Sequence, residues 1–113
     1  MPGKLPENVA LAVLGAMPLD ITYVDERDII RYYSDYRIFK RMPDILGMNV
    51  QNCHKPESRD EVNRVIDDVR SGRKDTSEYP AYKGGRKVRV RYVAVKDKNG
   101  RYAGLVETVE WAD

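Results

Sequence analysis

The chain's one cysteine and one histidine, Cys53 and His54, stand side by side in "QNCHKPESRDE", residues 51 to 61. A thiolate can attack or bind metal, and an imidazole can carry a proton near neutral pH or ligate a metal. Neighbouring side chains on an extended chain point apart, so a Cys53–His54 dyad is geometrically poor. Zinc would need about four ligands and would leave the remainder to carboxylates. Cys53 therefore reads as a buried or half-buried thiol, and His54 as either a turn-capping ring or a ligand. A second group lies in "GGRKVRVRY", with Arg86, Lys87, Arg89 and Arg91. Period two puts Arg89 and Arg91 on one strand face, where guanidinium forks could grip a carboxylate. They could also pair with Glu107 or Glu78 across the sheet. Alternating Arg and Tyr could equally form a stacking platform for single-stranded nucleic acid. Eight tyrosines stand against one phenylalanine. A buried tyrosine needs a partner for its hydroxyl, and Tyr92, sharing a face with Val88 and Val90, is the leading candidate to touch a ligand.

A chain of 113 residues suits one domain. With 42% hydrophobic and 34% charged residues it should fold around a core rather than remain disordered. A net charge of +2 is too small to imply nucleic acid, which makes that partner the weaker reading. One cysteine excludes an internal disulfide. The apolar stretch "VALAVLGAMPL", 9 to 19, is about half of the ~20 residues that span a bilayer, and no small-residue cleavage site follows it. A cytoplasmic protein without membrane contact is expected.

The elements that must position these residues follow from period and punctuation. Residues 6–17 predict a helix opened by Pro6 and ended before Pro18. It is apolar nearly all round, so part should pack on its own domain and the rest on another chain. "LDITYVDERDIIRYYS" predicts two strands around a turn at Asp25–Asp28. "SDYRIFKR" predicts a short helix with Ser34 as N-cap, burying Ile38 and Phe39, and "MPDILG" another helical turn closed by Gly47. In "SRDEVNRVIDDVRSG", Ser58 and Glu61 have capping-box spacing. Val62, Val65, Ile66 and Val69 form one face, and Gly72 is a C-cap. From Lys74 on, three strands alternate with period two around Gly84-Gly85 and Asn99-Gly100, and Pro80 marks the first as an edge or locally bulged. The fold class is α+β, with helices on one face of the sheet.

This order of elements resembles the PAS sensor-domain family from Leu19 to Glu110. "ITYVDERDIIRYYSDYRIF" resembles its first hairpin and following helix, and "PDILGMNV" is similar to its "lLG" segment. "HKPESRDEVNRVIDDVRSGR" resembles the turn before its long helix, and "GGRKVRVRYVAVKDKNGRYAGLVETV" its closing strands. The likeness is nearest to the PAS segment that accompanies hemerythrin-like domains in bacteria and archaea. It implies a five-stranded antiparallel sheet over residues 19–113, with residues 1–18 as an N-terminal cap helix and dimer contact. It implies a ligand pocket between sheet and helices, filled in relatives by haem, flavin or small metabolites. His54 would be a haem axial ligand, the one metal-binding candidate. Phe39, Val65, Val90 and Tyr92 would line the pocket, with Arg89 and Arg91 on a propionate or other carboxylate. Haem-binding relatives often carry their ligand within the long helix, which has no histidine here. The family's flavin-photoadduct motif is absent, and "EWAD" replaces its usual Asp-Ile-Thr-like end. The expectation is a stand-alone homodimeric sensor, not an enzyme, that binds a small ligand and signals through dimer geometry or a separate signalling protein. A ligand-free dimerisation module is the alternative.

Overall fold

The computed structural model describes residues 2–40, 45–52 and 56–113. Residues 76–111 fold as their period-two pattern dictates, into β3 (Thr76–Lys83), β4 (Arg86–Lys96) and β5 (Tyr102–Trp111). Gly84 and Gly85, at φ 58° and 78°, supply the two-residue turn whose twist matches the flanking strands. Towards the N-terminus lie β1 (Asp20–Val24) and β2 (Ile30–Tyr33). The five strands form one antiparallel sheet in the order β2-β1-β5-β4-β3. The first and last strands thus pair at its centre, and β3, with Pro80, is an edge as expected.

Among the described residues, one α-helix covers the inner face. Of α1 (Glu7–Ala16) and α2 (Pro56–Arg70), it is α2 whose Cα atoms come within 8 Å of those of β3, β4 and β5. Val62, Val65, Ile66 and Val69 of α2 are each 0–1% exposed, so the expected face is the buried one. Fully burying such side chains contributes roughly 1.5–3 kcal/mol each. They meet Val24, Ile30, Val88, Val90, Tyr92, Leu105 and Val109 of the sheet in one core. The helix begins at Pro56, so Ser58 lies in its first turn and is not the N-cap. Proline is favoured there because its missing N–H would have no partner in the first turn.

Two expectations fail for identifiable reasons. Residues 34–40 form no helix. Ser34 does not cap its own segment: its hydroxyl accepts the Ile21 amide at 2.9 Å and lies 2.7 Å from the Leu19 carbonyl. The amides of Ile38 and Phe39 donate to Asp20 Oδ2, at 2.9 and 3.3 Å, and strand side chains thereby replace intrahelical partners. Helix α1 forms, but none of its residues is buried, so it does not pack partly on its own domain. Leu11 is 64% exposed and Val13 41%. Among the described residues no helix is long and apolar enough to cross a membrane.

The turn between β1 and β2 is built by two aspartates. Asp25 Oδ1 accepts the amides of Arg27 and Ile29, at 2.9 and 3.0 Å, while its other oxygen takes Arg31 Nε at 2.7 Å. Burial alone would raise the Asp25 carboxyl, but these donors outweigh it and hold it below its usual range. Asp28, at φ 66°, receives Gln51 Nε2 at 3.1 Å and the guanidinium of Arg70, joining the turn to the end of α2.

Candidate functional site

Strand register, rather than any local motif, assembles the site. Ser77 of β3 lies opposite Tyr92 of β4, Tyr92 opposite Glu107 of β5, Glu107 opposite Thr22 of β1, and Thr22 opposite Tyr33 of β2. Every strand thus contributes a hydroxyl or carboxyl to one row across the inner face. On one side runs the apolar row Ala94–Leu105–Val24–Ile30, and on the other Tyr79–Val90–Val109–Asp20. Tyr92 is 0% exposed, Glu107 2% and Thr22 3%, where an apolar core would carry leucine or valine.

The row is internally bonded. The Tyr92 hydroxyl donates to Glu107 Oε2 at 2.5 Å, and its ring stacks on Tyr79 with centroids 6.2 Å apart. Burial, then the Glu107 carboxylate and Tyr79, holds the Tyr92 phenol well above its ordinary value, so it remains a donor. Arg37, on the irregular segment after β2, lies over the other end of the row. Its Nη1 donates to Thr22 Oγ1 and to the Ile21 carbonyl, both at 3.2 Å, and stands 2.9 Å from Asp20 Oδ1. The guanidinium also lies 5.4 Å from the Tyr33 ring centre, within cation–π reach. The Asp20 carboxyl is pushed up by burial, against the opposing pull of Arg37 and of the Ile38 and Phe39 amides. The row and its end thus gather a guanidinium, two carboxylates and two hydroxyls out of water.

The residues singled out from sequence divide between the two faces. Tyr92, Val90 and Val65 meet on the inner face, and Phe39 is partly buried against the same core. Arg89 and Arg91 lie on the opposite face, each partly exposed, because β4 alternates. There Arg89 lies 3.5 Å from Glu110 and Arg91 3.3 Å from Glu78. Pairing with Glu78 matches expectation. Glu107 is not their partner, since it turns inward to Tyr92. Cys53 and His54 lie outside the described residues, as does part of "MPDILG".

Sequence reasoning missed Asp20, Thr22, Arg37 and Glu107. One signal was available: period two places Glu107 on the same side of β5 as the core residues Leu105 and Val109. For Arg37 no local pattern exists, because its partners Asp20, Ile21 and Thr22 lie on β1.

The described residues also bear on haem. A porphyrin between α2 and the sheet needs about 3.5–4 Å of separation on each face. That space is occupied by Val62, Val65, Ile66, Val88 and Tyr92, each 0–1% exposed. The arginines that could meet propionates point the other way, so the described inner face does not fit the group.

A family model described as PAS domain matches residues 11–110. Among solved structures, the C-terminal domain of a Streptococcus mutans protein is 35% identical, with a TM-score of 0.83, and the match covers 98% of this chain and 88% of that one. A PAS domain from Colwellia psychrerythraea is 11% identical with a TM-score of 0.70, covering 92% of this chain and 94% of that one. The Aer2 receptor from Vibrio cholerae, a dual PAS-heme oxygen sensor, is 17% identical with a TM-score of 0.61, covering 89% and 99%. At such identities the last two are alike in fold alone. No curated protein matches the chain. The five-stranded antiparallel sheet, the helix on its inner face and the family match over residues 11–110 lead to one conclusion: this chain belongs to the PAS domain family.

Proposed function

We propose that this PAS domain is a sensor module that takes a small polar ligand at the row Tyr92–Glu107–Thr22 and its neighbours Arg37 and Asp20. The observation that carries this reading is the burial of charged and hydroxyl groups at the centre of the sheet's inner face. Burying charge costs several kcal/mol unless geometry repays it, and an apolar row would stabilise a merely structural domain better. Binding is the role, rather than catalysis. The test is a thermal-shift screen of the full chain against small polar metabolites. A ligand at about 100 times its Kd adds about 2.7 kcal/mol, or several degrees. The effect should vanish in Tyr92→Phe and Glu107→Gln. If no compound shifts the wild type while both variants are more stable than it, the row is inert packing and the reading fails.

The module's output would pass through contacts of the sheet's outer face and α1 with a second copy of the chain, or with a separate signalling protein. In support, Val9, Leu11, Val13, Leu14 and Met17 are all 37–64% exposed, an unusual cost for a solvated helix. The outer face carries partly buried Tyr23, Val93 and Val106. Light scattering should give twice the monomer mass for the full chain, and the monomer mass after removal of residues 1–17. A truncated chain that stays dimeric would move the interface elsewhere.

Haem through His54 is the competing reading. The Vibrio receptor favours it, and the filled space beneath α2 weighs against it. Adding hemin should give the spectrum of free hemin between 300 and 700 nm. A sharp Soret band that His54→Ala abolishes would reinstate haem.

A further inference from the structure

We infer that the outer face of the sheet carries a second binding site, a hollow near the Gly84-Gly85 turn that takes a small, flat monocarboxylate through Arg89 and Lys87. It lies on the other side of the sheet from the row beneath α2 and does not rest on that reading. The hollow measures about 400 Å³, the scale of small-ligand sites. Glu78 and Pro80 of β3, Lys87 and Arg89 of β4, and Ala112 just after β5 line it.

Sequence and register account for its position. Because β4 alternates, Lys87, Arg89 and Arg91 share the outer face, opposite Tyr82, Pro80 and Glu78 of β3. Ala112 continues the ladder beside Lys87, its amide donating to the Lys87 carbonyl at 2.9 Å. Pro80 and Ala112 are short residues among long ones, so the space above them stays open. The exposed Pro80 ring lies opposite Arg89, and Tyr82, 66% exposed, stands opposite Lys87. The two rings offer apolar surface to the body of a flat ligand.

The cations here are loosely engaged. Arg89 reaches Glu110 through Nη2 alone, at 3.5 Å, where a charge-assisted bond normally closes to about 2.7–2.9 Å. Its Nε is shielded from water and donates to no acceptor. The side chain is 40% exposed, so it is free to turn towards a better partner. A carboxylate in the hollow would take the guanidinium through two parallel bonds, a geometry Glu110 does not reach. Lys87 is exposed, forms no ion pair among the described residues, and supplies a second cation. The balance of charge selects the class of ligand. Lys87, Arg89 and Arg91 share this face with Glu78 and Glu110, which leaves one positive charge. A monoanion neutralises it, a phosphate dianion overshoots, and an amine is repelled.

Nuclear magnetic resonance on the full chain at constant ionic strength tests this, with benzoate, benzyl alcohol and inorganic phosphate as probes. Benzoate should shift the backbone amides of Ala81, Arg89 and Ala112 saturably, with a Kd of about 1 mM, within reach of so small a ligand. Benzyl alcohol, which keeps the ring and lacks the charge, should bind at least about tenfold more weakly, as should phosphate. Arg89→Gln should weaken benzoate about tenfold or more, and Arg89→Lys, which keeps the charge but loses the fork, about three- to tenfold. Lys87→Gln should weaken it about threefold. Arg101→Gln, at the exposed turn between β4 and β5, removes a cation elsewhere and should change nothing. These side chains face solvent, so the variants should fold. The proposal is overturned if benzoate gives no saturable shift at these amides, if benzyl alcohol or phosphate binds as tightly, or if Arg89→Gln weakens benzoate no more than Arg101→Gln does.

Discussion

Arg37→Ala lowers the unfolding free energy by about 3–5 kcal/mol at neutral pH, the cost of leaving a buried carboxylate without its counter-charge. Asp20, the partner left behind, has a side chain 0% exposed. A domain holding about 5–15 kcal/mol in all would lose a large share of its stability. Part of the loss belongs to the bonds that Arg37 makes to Thr22 and to the Ile21 and Phe39 carbonyls. The pH dependence isolates the charge. The Asp20 pKa is raised in the fold by burial, against the pull of Arg37. A raised folded pKa contributes stability that is present below the unfolded value of 3.8 and lost as pH rises through the folded one. Removing the guanidinium raises that pKa further, so the penalty should be greatest at neutral pH and shrink as pH falls towards 4. Urea unfolding of wild type and variant from pH 4 to 7 measures this. A penalty constant across that range would mean that Arg37 acts through its neutral bonds and packing. The double variant Arg37→Met with Asp20→Asn, which removes both charges, should lose less than Arg37→Ala does.

Gly104→Ala should cost at least as much, for a steric reason. Gly104 sits in β5 at φ 115°, a conformation costing L-residues on the order of 1–3 kcal/mol. A Cβ there would lie 2.2 Å from the Val24 carbonyl oxygen and 3.0 Å from the Tyr23 ring. The carbonyl belongs to the strand paired with β5, so it moves only if the central ladder moves. That ladder sets Glu107 opposite Thr22. Gly104→Ala should therefore unfold at a markedly lower denaturant concentration, and any folded remainder should lose ligand stabilisation. An unchanged midpoint would show that β1 and β5 separate here without cost.

Much of the frame was legible in the chain itself. Period two, the Gly84-Gly85 turn and Pro80 located the meander and its edge. The spacing of Val62, Val65, Ile66 and Val69 located α2 and its buried face. The order of elements resembled a PAS domain, and the family match bears that out. These features are local, because propensity and amphipathic period act within a few residues. The expected helix at 34–40 failed because Asp20 and Ser34 supplied partners across the fold, which no local pattern records. The division of the arginines from Tyr92 was present in the alternation of β4, but which face turned inward depended on the packing of α2. Tertiary structure alone decided the polar row. Its five residues come from five strands, and their registers depend on how the two hairpins meet at β1 and β5. A slip of one residue would turn Glu107 to solvent and leave the chain's composition unchanged.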